Sequence, residues 1–189
     1  MRIVAGSARG RRLAVPPGTG TRPTSDRTRE AVFGRLDAWR AVAGAHVLDL
    51  YCGSGALALE ALSRGAAGAV GVEADRTAAR VAADNARTLG LALIVVHDRV
   101  SRFVSAPGRA FDLVLLDPPY ELDGPELAQV LAGVARRCEP EAVVVVERSA
   151  RSPEPVWPEG LEPLEPKTYG ETQVWFAERV VAPPVASTP

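Results

Sequence analysis

VLDLYCGSGALALEAL, residues 47–62, reads as a buried strand, a tight glycine turn and a helix, in that order. Residues 47–50 are an apolar run broken only by Asp49. Gly53 and Gly55 then let the backbone turn sharply and let a ligand approach where a Cβ would clash. A helix over 56–64 follows, stopped by Gly65. The same alternation repeats downstream. Strands are expected over 69–73, 93–96, 112–116 and 142–146. Helices are expected over 76–89, ended by Gly90, and after Pro125, where Leu127, Val130, Leu131 and Val134 share one face. The strand runs are short and do not alternate, as in a parallel sheet buried on both faces. A doubly wound, Rossmann-like α/β domain over residues 44–180 is the expected fold.

The flanks break this rhythm. Residues 2–15 read as a hairpin turning between Gly6 and Gly10, stopped by Pro16-Pro17-Gly18. A helix follows Pro23, with Thr24, Ser25 or Asp26 as cap candidates. Val32, Leu36 and Trp39 form its apolar stripe, and Arg27, Arg29, Arg35 and Arg40 fall on its remaining surface. Residues 1–43 are therefore expected to be a hairpin-plus-helix extension. Residues 152–166, rich in Pro and Glu, read as a loop with one short strand near Leu161. A last strand over 172–178 is expected to run antiparallel to its neighbour, and 181–189 to be a frayed tail.

The net charge of −1 conceals an asymmetry, because residues 1–40 carry nine arginines against Asp26, Glu30 and Asp37. A basic leader on an acidic body points to a polyanionic partner gripped by that leader. Arginine supplies nearly all of the positive charge throughout the chain, which explains Arg over Lys but not the clustering. The aliphatic run 142–146, like every other in the chain, is far short of the ~20 residues of a membrane span. No apolar signal core follows Met1, so a cytoplasmic protein without membrane contact is expected, and a monomer. Cys52 and Cys138 lack metal-ligand spacing, so no zinc site or disulfide is indicated, and no metal is expected. His46 and His97 stand at strand ends without ligand-spaced partners and read as structural.

Three acids sharpen the glycine loop, which by itself fits either a nucleotide site or a plain tight turn. Asp49 precedes the loop, where its charge would repel a pyrophosphate but suit an ammonium. Glu73 ends the next strand, 20 residues beyond Gly53, where an acid accepts from ribose hydroxyls. Asp98 follows the third strand, placed to receive an adenine amino group. A cationic, phosphate-free nucleoside fits this set better than a dinucleotide.

Asp117-Pro118-Pro119-Tyr120 follows the fourth strand, at the carboxyl edge where such sheets keep their sites. An exocyclic amine on a nucleobase is a poor nucleophile, its lone pair being delocalised into the ring. The Asp117 carboxylate and Pro118 carbonyl can hold the amine hydrogens and turn that lone pair toward an electrophilic methyl. The two prolines set the backbone for this without rearrangement. Tyr120 offers a stacking face worth ~1–3 kcal/mol per base. A direct displacement needs no covalent nucleophile, so Cys52 reads as a packed side chain. The other reading of the tetrapeptide is a rigid turn after a buried strand.

DxxxGSG followed by DPPY resembles the class I S-adenosylmethionine-dependent methyltransferases that act on amino nitrogens. RPTSDRTREAVF (22–33), LDLYCGSGALALEALSRGA (48–66), Glu73, Asn85, DPPY and KTYGETQVWF (167–176) are similar to the bacterial 16S ribosomal RNA guanine-N2 methyltransferases of the RsmD type. Members of that family usually carry Phe-Ala where this chain has Tyr51-Cys52, a change of side chains rather than of the turn. The resemblance implies the class I methyltransferase fold, a seven-stranded, mostly parallel sheet with an antiparallel last strand. It implies S-adenosylmethionine as cofactor, S-adenosylhomocysteine as product, and a guanine of 16S rRNA in the assembled or assembling small ribosomal subunit as substrate. Asp49, Gly53, Gly55, Glu73 and Asp98 are then expected to bind the cofactor, and Asp117, Pro118 and Tyr120 to orient the amine. Arg9, Arg11, Arg12, Arg22, Arg27 and Arg29 are expected to contact RNA phosphates. Tyr169 and Gly170 either wall the substrate pocket or form a strand-end turn. A DNA adenine-N6 methylase would share the tetrapeptide, and a non-catalytic RNA-binding module could keep the fold. Intact Asp117 and Tyr120 speak against the latter.

Overall fold

The computed structural model describes residues 1–17, 26–119 and 121–181. After helix α1 (Asp26–Ala38), strands and helices alternate: β1 (His46–Leu50), α2 (Ala56–Ser63), β2 (Gly68–Glu73), α3 (Arg76–Leu89), β3 (Leu93–His97), α4 (Val100–Ser105), β4 (Phe111–Leu116) and α5 (Gly124–Ala135). Three strands close the chain: β5 (Cys138–Ser149), β6 (Leu161–Tyr169) and β7 (Thr172–Arg179). They form one seven-stranded sheet in the order β3-β2-β1-β4-β5-β7-β6. The first five strands in that order are parallel, and β7 runs antiparallel to both β5 and β6. The expected doubly wound sheet with an antiparallel last strand is what the chain forms. No helix among the described residues is long and apolar enough to cross a membrane.

The strands are apolar on both sides because both sides are covered. Val47, Leu113, Leu115, Val143 and Val145 face a core shared with α1, α2 and the leader. Their neighbours Leu48, Leu50, Val114, Leu116, Val144 and Val146 face a second core with α4 and α5. The chain reverses its winding between β1 and β4, which leaves a crevice at the carboxyl ends of these strands.

Several boundaries moved. Helix α4 is six residues long, too short for a periodic signal, and was not expected. Strand β6 is nine residues long and admits Pro163 and Pro166 because it lies at the sheet edge; its register slips between Leu164 and Lys167. Strand β5 begins at Cys138, and its pairing with β4 jumps from Cys138 to Val143.

The leader folds back on itself and is more tightly attached than an appendage. Its two arms run antiparallel, bridged at Arg2 with Arg12 and joined by Ile3 N–H to the Arg11 carbonyl (2.9 Å), Gly10 N–H to the Ile3 carbonyl (2.8 Å) and Leu13 N–H to the Met1 carbonyl (3.1 Å). Ile3, Ala8, Leu13, Val32, Phe33 and Leu36 join the same core as β1 and α2. The turn at Gly6, with φ 81°, lies so close to α2 that a Cβ there would sit 1.8 Å from the Ser63 carbonyl oxygen. Trp39 falls just beyond the end of α1 and stays 38% exposed, edge-on to Phe176 at 5.4 Å. Phe33 is buried in its place.

Arg29 does not lie on the outer surface of α1. It is 1% exposed, on the same side as Val32 and Phe33, and its Nη2 donates to Asp26 Oδ1 and to the Arg2 carbonyl, each at 2.7 Å. Asp26 neutralises it there, and it cannot contact a phosphate without leaving the core. Thr24 and Ser25 lie outside the described residues.

Candidate active site at the carboxyl edge of the sheet

The loop between β1 and α2 packs three left-handed residues into five positions: Tyr51 (φ 62°), Gly53 (φ 53°) and Gly55 (φ 79°). Glycine adopts this region freely, whereas a side chain there costs about 1–2 kcal/mol. Tyr51 carries that strain at the mouth of the crevice. Its phenol is half-buried and pushed up to about 12, by burial first and then by Glu126, with Arg148 opposing. The two glycines have different uses. A Cβ on Gly55 would press against Leu93 and Ala82 at 3.0 and 3.3 Å, whereas one on Gly53 would meet nothing within 4 Å. Gly55 serves packing, and the open space lies over Gly53.

Several polar backbone groups of the loop are held. Cys52 N–H donates to the Val72 carbonyl (3.1 Å) and Gly55 N–H to the Cys52 carbonyl (2.7 Å). Gly53 N–H donates to Glu73 Oε2 (2.9 Å), and the Ser54 carbonyl accepts from Asn85 Nδ2 (3.0 Å). Glu73 Oε1 accepts from Asp75 N–H (2.8 Å), so this acid braces the loop while keeping lone pairs for a hydroxyl donor.

Asp49 is 1% exposed. Its Oδ2 accepts from Ala58 N–H at 2.9 Å, capping α2 from the strand in place of Gly55, which has no side chain to do so. Its Oδ1 is buried without a partner among the described residues. The carboxyl is pushed up to about 8 by burial above all; the Ala58 N–H opposes this, and Asp117 and Glu73 add to it. Three acids from β1, β2 and β4 therefore act on one another at one edge. A cation placed among them would relieve both the orphaned oxygen and the mutual repulsion. Asp98 sits beside them: its N–H donates to the Glu73 carbonyl (3.1 Å), while its carboxylate accepts from Arg99 N–H (2.8 Å) and faces Arg102 Nε at 3.7 Å.

Asp117 follows β4 at the exposed rim, and Pro118 is buried beneath it. Tyr120 lies outside the described residues. The Pro119 carbonyl accepts from Leu122 N–H (3.1 Å) and from Arg148 Nη1 (3.3 Å), while Arg148 Nη2 donates to the Leu122 carbonyl (2.7 Å). Arg148, at the end of β5, thus ties down the loop that holds Asp117. Sequence reasoning missed it because nothing local marks a strand-end arginine as reaching a loop 26 residues away. The Tyr169-Gly170 turn also lies at this edge, where Ala150 N–H donates to the Glu171 carbonyl (2.8 Å). Tyr169 packs against the leader-side core.

Of the remaining leader arginines, Arg9, Arg12 and Arg27 are exposed. Arg11 is exposed too, and its Nη2 donates to the Thr88 carbonyl at the end of α3 (3.0 Å). Arg22 lies outside the described residues. Cys52 is buried against Gly71, where a Cβ would come within 2.9 Å of its sulfur, and burial pushes its thiol far up. It is packed rather than poised. A recess of about 660 Å3 opens at the opposite, amino edge of the sheet between Trp39, Asp112, Pro140 and Glu178; it shares no residue with the acid-lined crevice.

The family model described as Conserved hypothetical protein 95 matches residues 1–178, leader included. The chain belongs to this family. Among its relatives is ribosomal RNA small subunit methyltransferase D of Haemophilus influenzae, 35% identical over 175 residues covering 90% of this chain and 89% of that protein. The Escherichia coli K12 protein of the same name is 44% identical over 124 residues, 64% of this chain. That match spans 60% of the E. coli protein's length. The solved structure of a putative methyltransferase, yhhF from E. coli, superposes with a TM-score of 0.85 at 33% identity, covering 95% of this chain and 98% of that one. The fold and the motif resemblance to the RsmD type agree with these relatives.

Proposed function

We propose that this chain transfers a methyl group from S-adenosylmethionine to the exocyclic N2 of a guanine in 16S rRNA of the small ribosomal subunit. One observation carries the reading. Asp49, with an orphaned buried oxygen, crowds Glu73 and Asp117 at the edge where the open space over Gly53 lies. A ligand that is cationic and free of phosphate suits that edge. Asp49 would face its positive charge, Glu73 its ribose hydroxyls and Asp98 its adenine amine. When bound, the cofactor supplies an activated methyl. The chain's own part is positional: the Asp117 carboxylate and the Pro118 carbonyl accept the amine hydrogens, and Arg148 keeps their loop still. The names of the family relatives support ribosomal RNA as the substrate.

Labelled S-adenosylmethionine incubated with unmodified small subunits, free rRNA or DNA, followed by mass spectrometry of the nucleosides, tests this. Label in N2-methylguanosine is expected. Label in N6-methyladenosine of DNA would transfer the reading to a DNA methylase, and no label would leave a binding module.

The cofactor site has a pH signature. Free Asp49 keeps its proton below about pH 8, and a cation beside it favours the carboxylate. Binding therefore releases a proton, so affinity for S-adenosylmethionine should rise from pH 6 to 7.5, by up to about tenfold per unit. Titration calorimetry in phosphate and Tris buffers would count the proton. A flat affinity over that range would remove Asp49 from the cation's side.

The RNA grip is tested by salt. Arg9→Gln with Arg12→Gln spares Arg11, which also serves α3. Each lost phosphate contact should lower the slope of log affinity against log salt by roughly 0.7–0.9. An unaltered slope would place the grip elsewhere.

A further inference from the structure

Asn85 is 5% exposed in α3, and its side-chain amide joins three separated parts of the chain. Oδ1 accepts from Ala14 N–H at 2.9 Å, and Nδ2 donates to the Ala14 carbonyl and to the Ser54 carbonyl, each at 3.0 Å. Both amide hydrogens are used. The orientation of the group follows, since the reverse would set its NH2 against the Ala14 N–H and its oxygen against two carbonyls. One side chain therefore grips the leader at Ala14 like a strand partner and fixes the central peptide of the glycine loop.

The leader's other contacts make it stiff enough to transmit force. Glu60, fully buried, accepts from Val4 N–H (2.7 Å) and Ala5 N–H (3.0 Å). Ser63 Oγ accepts from Ala8 N–H (2.9 Å) and donates to the Ala5 carbonyl (2.5 Å). Met1 Sδ accepts from Ser54 Oγ at 3.7 Å, a second tie between leader and loop. The leader is pinned to α2 at one end and to α3 at the other, and it reaches residue 54 directly through Met1 and by way of Asn85 from Ala14.

We infer that Asn85 is a positioning residue that makes the basic leader and the cofactor loop one mechanical unit, so that RNA held by the leader tightens cofactor binding. This rests on the assignments made above for leader and loop. A leader whose Ala14 is set against Asn85 fixes the amide that holds the Ser54 carbonyl, and with it the loop peptides that face the ligand. Ordering the leader with RNA lessens the ordering that the cofactor must still impose. By linkage the cofactor tightens RNA binding by the same factor.

The test uses S-adenosylhomocysteine affinity by calorimetry, with and without unmodified small subunits, in wild type, Ala14→Pro and Asn85→Asp. Ala14→Pro removes the N–H that donates to Asn85 Oδ1, at the cost of a fixed φ, at an exposed leader residue outside the cofactor set, and so keeps the test open if Asn85→Asp fails to fold. Ala14→Pro should bind S-adenosylhomocysteine about three- to tenfold more weakly, the scale of one lost neutral hydrogen bond, and Asn85→Asp, which loses both donations, more weakly still. For Ala14→Pro, KM for the methyl donor should rise by that factor while kcat stays within twofold, a split that general loosening would not produce. In wild type the subunits should tighten S-adenosylhomocysteine binding several-fold, and in Ala14→Pro they should not. Unchanged affinity in Ala14→Pro overturns the latch. Wild-type affinity indifferent to subunits that do bind overturns the coupling. Subunits that fail to bind wild type would instead end the RNA assignment, with the latch still judged on the affinities measured without them.

Discussion

Replacing Asp117 with alanine is expected to lower turnover about 10²–10³-fold, the scale at which one preorganised polar group aimed at the reacting centre is lost. The residue stands just after β4, next to the buried Pro118 and on the loop that Arg148 clamps. Its proposed acceptor oxygen matters most as the amine nitrogen takes on positive charge, so the loss should fall on kcat more than on KM. Affinity for S-adenosylmethionine should stay within a few-fold for a compensating reason. Asp117 is one of the charges that raise Asp49, so its removal takes a negative charge from the crevice while letting Asp49 ionise more readily. Equilibrium binding and single-turnover kinetics on the same variant separate the two quantities. Wild-type turnover in the variant would dismiss the amine clamp outright.

Glu60→Ala should cost about 3–5 kcal/mol of folding stability, the usual penalty for removing one partner of a buried charged network. Glu60 is 0% exposed, yet it carries the Val4 and Ala5 N–H groups and Arg64 Nε at 2.8 Å. Arg64 in turn reaches Asp37 Oδ2 at 2.7 Å and lies over the Phe33 ring at 5.2 Å. One carboxylate thus holds leader, α2 and α1 together, and alanine leaves buried donors without an acceptor. With a urea slope of ~1–3 kcal/mol per molar, the midpoint should fall by roughly 1–5 M with the slope unchanged. A shift below about 0.5 M would mean that the leader is held by its apolar contacts alone.

Glu60 also shows where reading the chain stops. In ALALEALS it is a lone acid in an apolar helix, a signal that something polar must meet it inside the fold. Arg64 one turn on is a local partner, but the leader partners lie more than fifty residues upstream, and no local pattern names them. Arg29 fails in the opposite direction. It resembles its neighbour Arg27 in composition and charge, but helical geometry turns it inward beside Val32 and Phe33, where Asp26 and a backbone carbonyl await it. Counting arginines measures charge, not exposure. Asp49, Glu73, Asp98 and Asp117 were legible because a parallel sheet collects every strand's carboxyl end on one edge, so an acid after each apolar run must converge with the others. Arg148 and Asn85 act across the fold, and their short-range surroundings are ordinary.

Local chemistry along the chain sufficed for the architecture and for the acids of its crevice, since hydrophobic period, glycine placement and strand-end charge act within a few residues. Burial and long-range pairing settled the rest. Only packing made Asp49 a proton carrier near neutrality, drew Arg29 into the core, and joined the leader to the glycine loop through Asn85. Desolvation and hydrogen bonding between distant segments exist only once the sheet has formed, and no stretch of sequence contains them.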